Sequence, residues 1–142
     1  MISTKGRYAL RVMLDLAEHG DDGFIPLEEI AKRQGISKKY LEIILKVLVK
    51  NGLLKGLRGK GGGYRLTRRP SEYTVGEILE LTEGSLAIVS CLSVDSPPCE
   101  RRAGCRTFPM WLKFDKMVHD YFFGITLKDL SASSPDFSAC TP

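Results

Sequence analysis

A chain of 142 residues, 43% of them hydrophobic, suffices for one domain with an appended arm. Its net charge of +4 is unevenly spread, with 15 Lys/Arg against 7 Asp/Glu in residues 1–69 and 6 against 10 in residues 70–142, so the front half suits a polyanion. No run of about 18 apolar residues offers a membrane span, and an N-terminus broken by Arg11 and Asp15 does not read as a signal peptide, so a cytoplasmic protein with reduced thiols is expected.

In chain order, Ser3 or Thr4 caps a first helix. Its expected buried positions are Tyr8, Leu10, Val12, Met13, Leu14, Leu16 and Ala17, and Gly20-Asp21-Asp22-Gly23 ends it. Pro26-Leu27-Glu28-Glu29 opens a second helix with proline and two acids in its first turn, and Gly35 closes it. Ser37 caps a third that runs to about Lys50 and stops at Asn51-Gly52. There Leu41, Ile44, Leu45 and Leu48 recur on one face, leaving Lys38, Lys39, Glu42, Lys46 and Lys50 outside. Two short helices joined through Gln34-Gly35-Ile36-Ser37 read as a helix-turn-helix.

The stretch LRGKGGGYRL at 57–66 combines glycine with cations and so suggests a phosphate site. A nucleotide P-loop is excluded: Gly61, not Ser or Thr, follows Gly59-Lys60, and Leu54 holds the leading glycine position. A dinucleotide loop would open a helix, whereas Tyr64-Arg65-Leu66-Thr67 alternates like a strand. The glycines therefore form a hairpin tip. A hairpin directly after a helix-turn-helix is a wing, and the phosphate is that of a nucleic-acid backbone. The fold class is mainly α with a small β-wing: a winged helix-turn-helix DNA-binding domain over residues 1–83, with Arg58 or Lys60 placed to enter a narrow groove.

Thr74-Val75-Gly76-Glu77 reads as a capping box for a fourth helix. Residues 84–106 show no period and hold Cys91, Cys99 and Cys105 in the pattern C-x7-C-x5-C. Structural zinc sites come as closer pairs, whereas iron–sulfur ligation tolerates wider spacing; unrelated loop cysteines remain an alternative. No C-x-x-C pair and no organised nucleophile supports an enzyme. His19 is expected at the end of the first helix and His119 on a solvated face. A long helix then begins near Pro109, with Met110, Trp111, Phe114, Met117, Val118, Tyr121 and Phe122 on one stripe and Lys113, Asp115, Lys116, His119 and Asp120 opposite. So small a domain has little core left to bury that stripe alone, packing on its own domain being the alternative. Residues 107–130 are therefore expected to form a dimerisation helix, with Trp111, Phe114, Val118, Tyr121 and Phe122 at the contact, and a short following element. The Ser/Pro-rich tail 131–142 is expected to be disordered.

STKGRYAL at 3–10, KRQGIS at 32–37, YLE at 40–42, RGKGGGY at 58–64, the cysteine loop and ITLKDL at 125–130 resemble the Rrf-two family of bacterial regulators. The likeness is strongest to its cysteine-bearing branch, the iron–sulfur cluster regulators. The resemblance implies a homodimeric transcription regulator that binds double-stranded DNA. It implies one iron–sulfur cluster per subunit on Cys91, Cys99 and Cys105, 2Fe–2S in preference to 4Fe–4S. It places DNA contacts at Lys5, Ser37, Lys38, Lys39, Tyr40, Glu42, Arg58, Lys60, Gly61, Gly62 and Tyr64. A carboxylate at Glu42 would accept from a cytosine amine and repel phosphate, so it would discriminate between sites more than it adds affinity. The chain departs from the family where a fourth ligand, His, is expected three residues after the last cysteine: Phe108 stands there. The region where some relatives carry an acidic ligand near the start of helix one reads Arg7-Tyr8, so the candidates are Asp95, Glu100, Cys140, or a water or small thiol. A cluster-free branch, regulators of cysteine metabolism that answer through thiols or a partner enzyme, shares the STKGRY and ITLKDL segments.

Overall fold

The computed structural model describes residues 1–20 and 23–133. In chain order they form α1 (Thr4–His19), α2 (Leu27–Gln34), α3 (Lys38–Lys50), β1 (Leu54–Leu57), β2 (Gly63–Leu66), α4 (Val75–Glu83), α5 (Phe108–Phe123) and α6 (Leu127–Ala132). The architecture is the expected one, helical with a single antiparallel hairpin. Asp21, Asp22 and the tail from 134 to 142, with Cys140, lie outside the described residues. Among those described, no helix is long and apolar enough to cross a membrane.

Helix starts follow the hydroxyl caps. The Ser3 side chain accepts from the Gly6 N–H at 3.1 Å, and Ser37 does the same for Tyr40 at 3.2 Å. Thr74 caps α4 by accepting from Glu77 N–H at 3.1 Å, but the capping box is not closed. The Glu77 carboxylate turns instead to Arg68, whose Nη2 donates to it at 2.7 Å. A complete capping box occurs at α6, between Thr126 and Asp129. Ser131 and Ala132, which composition places in the tail, are its last residues but one and last.

The core draws Val12, Met13 and Leu16 from α1, Ile30 from α2, all four expected residues of α3, Ile78 from α4 and Leu127 from α6. On α1 the expected pattern is shifted. Tyr8, Leu10, Leu14 and Ala17 are only half-buried, while Gly6, Ala9 and Asp15 occupy buried positions. Gly6 is there because Glu83 packs against it: a Cβ would sit 2.2 Å from the Glu83 Oε1. Asp15 is there because its charge is matched, as described below.

The wing is fastened on two sides. The Tyr73 hydroxyl, fully buried, accepts from the N–H groups of Thr67 and Arg68, both at 2.9 Å, and donates to the Leu53 carbonyl at 2.8 Å. At the other side Ile25 and Tyr64 exchange backbone hydrogen bonds at 2.9 Å, docking the hairpin onto the segment before α2. Gly63 makes this approach possible. Its φ is +147°, and a Cβ would fall 2.1 Å from the Ile25 carbonyl oxygen.

α5 packs on α4, where Gly76 admits the Phe123 ring: a Cβ would lie 2.2 Å from its Cδ2. The chain then returns to the head. Thr126 bridges Thr74, Val75 N–H donates to the Ile125 carbonyl at 2.9 Å, and Leu127 N–H to the Tyr73 carbonyl at 3.1 Å.

Candidate DNA-reading surface and cysteine segment

α2 ends at Gly35, whose left-handed φ of +62° turns the chain into α3. Lys38, Lys39 and Glu42 are exposed on the first turns of α3, as are Lys46 and Lys50 further along; Tyr40 is half-buried. Lys38 pairs with Glu28 at 3.6 Å. An open cleft of about 450 Å³ separates the N-terminal end of α2 from the wing tip, and Glu28, Arg58, Gly61, Gly62 and Tyr64 line it. Beside it Lys46, Val49 and Lys50 of α3 face Leu57, Arg58 and Tyr64 across a second groove, so α3 and the wing form one surface. On it Arg58, Lys60 and Gly61 are exposed, Gly62 and Tyr64 half-buried; Lys5, on α1, is also half-buried. Among the described residues Lys39, Lys46, Lys50, Arg58 and Lys60 have no carboxylate partner, which leaves their charge available to phosphates.

Behind this surface lies a network that periodicity does not reveal. Asp15 is 1% exposed. Its carboxylate accepts from Arg33 Nη2 at 2.8 Å and Nε at 2.9 Å, and from Gln34 Nε2 at 2.8 Å. Burial pushes its pKa up, but the hydrogen bonds from Arg33 and Gln34 and the Arg33 charge outweigh that and hold it below the usual carboxylate value. Arg33 is raised in turn, first by its hydrogen bond to Asp15. The available signal was an acid on the buried face of an amphipathic helix, with an Arg-Gln pair closing the next one.

The cysteine segment leaves α4 at Gly84 and makes two 3-10 turns, Ser90–Leu92 and Arg102–Gly104. Cys91 lies in the first turn, Cys105 just after the second, and Cys99 between them; all three are free, and Cys99 is exposed. Among the described residues no three His, Cys, Asp or Glu side chains converge as a cation site. The expected ligands are therefore not gathered here: they lie at three separate points along the segment. In kind they fit an iron–sulfur centre, which takes thiolates. The Thr107 hydroxyl, 3.4 Å from the Cys105 sulfur, together with the N–H groups of Thr107 and Phe108, holds that thiol below the ordinary cysteine value. Phe108 opens α5 with the Arg102 guanidinium 4.7 Å above its ring. Asp95 and Glu100 are exposed.

No side chain of α5 is fully buried. Met110, Phe114, Met117 and Tyr121 are 55%, 46%, 60% and 66% exposed, and their spacing puts them on one stripe. Of the expected contact residues, Phe114 and Tyr121 lie on that stripe, whereas Trp111, Val118 and Phe122 are half-buried. Val118 and Phe122 line a pocket with Met1, Ile2, Leu86 and Ile88. Asp115, expected in solvent, accepts from the Ile88 N–H at 3.1 Å and so ties the cysteine segment to α5.

Comparison with known proteins agrees with this geometry. Residues 2–133 match the Rrf2 family, described as an iron-dependent transcriptional regulator. The chain is 37% identical over 129 residues to the HTH-type transcriptional regulator IscR of Aliivibrio salmonicida, a match that spans 91% of this chain and 76% of that one. Among solved structures it resembles CymR, the global cysteine regulator of B. subtilis, with a TM-score of 0.77, 34% identity, and 94% and 98% of the two chains covered. The IscR of T. potens gives a TM-score of 0.71 at 33% identity, with 98% of this chain and 96% of that one covered. These relatives are regulators rather than enzymes. The chain belongs to the Rrf2 family of winged-helix transcriptional regulators, in its IscR branch.

Proposed function

We propose that the protein binds promoter DNA as a homodimer and that the iron–sulfur or redox state of its cysteine segment sets which promoters it occupies. The carrying observation is the single surface formed by α3 and the wing, with exposed cations that no carboxylate neutralises. On this reading α3 enters the major groove by its N-terminal turns. Ser37 fixes the start of that helix, Lys5, Lys39 and Lys60 neutralise phosphates, and Lys38 joins them by exchanging Glu28 for a phosphate. Arg58 enters the minor groove, Gly61 and Gly62 let the backbone approach, and Tyr40 and Tyr64 shape the surface. Residues 1–83 serve as the reading head, 84–106 as the sensor and 107–130 as the dimerisation segment. A regulator of chromosomal promoters works in the cytoplasm.

Glu42→Ala is expected to relax discrimination between operators, with about 1–3 kcal/mol lost at the base pair it reads. Arg58→Ala should weaken every site alike. Competition binding over a panel of operator variants separates the two. Equal weakening of all sites by both substitutions would show that Glu42 is not a reader.

Cys91, Cys99 and Cys105 would hold the cluster, with Asp95, Glu100 or Cys140 available for the fourth position. When bound, the cluster supplies a charge and coordination state that respond to iron and oxidant; 2Fe–2S is the form we favour. Anaerobically purified protein should contain stoichiometric iron and acid-labile sulfide, and substituting all three cysteines by serine should remove both. Absence of iron after reconstitution would favour the second reading, a cluster-free regulator working through thiols or a partner enzyme of sulfur metabolism. Phe108 at the expected ligand position and the likeness to CymR support that alternative.

A further inference from the structure

Gln34 is the last residue of α2, and both ends of its side-chain amide are held from α1. Its Nε2 donates to Asp15 at 2.8 Å, and its Oε1 accepts from Arg11 Nε at 3.1 Å. Arg11 Nη2 also donates to the Gln34 backbone carbonyl, one of the acceptors that a helix end leaves without an intrahelical partner. The last turn of α2 is thereby fixed to α1 immediately before Gly35, where the chain turns into the reading helix. Arg11 reaches the other side of that turn as well. Its guanidinium lies 5.1 Å from the centre of the Tyr8 ring, and Tyr8 meets Tyr40, in the first turn of α3, edge-on at 5.8 Å.

Arg11 is exposed, and among the described residues it has no carboxylate partner. Its donors go to neutral acceptors, so it orients groups rather than cancelling charge. Only a planar fork with separated N–H groups can hold a side-chain oxygen and a backbone carbonyl together; a lysine ammonium cannot reproduce it. We propose that Arg11 is a positioning residue for sequence reading: it fixes the angle between α2 and α3, so that the first turns of α3 meet the base edges in register. The proposal rests on the DNA-reading function above and adds to it a residue that touches no base.

The competing role for an exposed arginine beside a reading helix is a direct phosphate contact, and salt dependence separates the two. An operator is selected from a random duplex pool with the wild-type protein. Affinity for that operator and for a scrambled duplex is then measured over a salt series for wild type, Arg11→Ala and Arg11→Lys, with circular dichroism to confirm the fold. Both variants are expected to lose about tenfold of the operator preference, while scrambled-duplex affinity and the salt slope stay as in wild type. A slope shallower by about 0.9, with equal loss on both duplexes and recovery in Arg11→Lys, would make Arg11 a phosphate contact and overturn the proposal. Unchanged preference in both variants would overturn it too. If Arg11→Ala does not fold, Arg11→Lys carries the same comparison. Wild-type protein that prefers no duplex would remove the DNA-reading function itself, and the role of Arg11 with it.

Discussion

On the proposed dimeric reading, Met117→Glu is expected to convert a dimeric wild type into a monomer, read by light scattering after gel filtration, and to weaken operator binding by about a hundredfold. Met117 sits within the stripe of Met110, Phe114 and Tyr121 and is 60% exposed, so its loss leaves the subunit's own packing intact. Glutamate is a good helix former, so α5 persists. In a symmetric contact along this stripe, a carboxylate would be buried against apolar side chains and lose water without gaining a partner. A monomer then engages one half-site where the dimer engaged two. A dimeric mass retained by the variant would show that the stripe is not the contact, and a monomeric wild type would remove the dimer itself.

Asp15→Ala is expected to lower the unfolding free energy by about 2–3 kcal/mol, because it removes the buried acceptor of the Gln34 amide and of the partly exposed Arg33 guanidinium, which water can then reach. Chemical denaturation at neutral pH measures it. Asp15→Asn keeps the shape and isolates the charge. Because the folded-state pKa is depressed below the ordinary 3.8, the ionic contribution is fully present above that value and is lost as pH falls through the lower, folded one. The stability gap between wild type and Asp15→Asn should therefore stay level from neutral pH down to about pH 5 and close below about pH 4. A gap that opened on acidification, or a neutral-pH loss under about 1 kcal/mol for Asp15→Ala, would mean that the network contributes little.

What could be read in advance followed local chemistry. Ser3, Ser37 and Thr74 announce helix starts because a hydroxyl cap acts within three residues, and Leu41, Ile44, Leu45 and Leu48 announce their face because α3 is amphipathic by itself. Glycines among cations between two short strand-like runs announce the wing. What escaped depends on groups distant in sequence. Asp15 is buried only because Arg33 and Gln34 stand opposite it, and a periodicity reading places Leu14 and Ala17 inside instead. Glu77 leaves its capping role for Arg68, a choice set by where the wing's end lies. The three cysteines illustrate the same limit at the site: spacing gives donor type, but which turn each thiol occupies belongs to the packed segment.

The return of the chain after α5 changes how the protein can be taken apart. Leu127 is fully enclosed in the head, and the Val75 and Leu127 N–H groups donate across the junction to the Ile125 and Tyr73 carbonyls. The final helix is a clasp on residues far upstream, so the cysteine segment and α5 form an insertion within residues 1–130 rather than a module hung from the end of residues 1–83. Grafting this reading head onto another regulator therefore requires residues 125–130 as well as 1–83. A fusion made at residue 83 alone would leave an apolar hollow beside Tyr73, the residue that pins the wing.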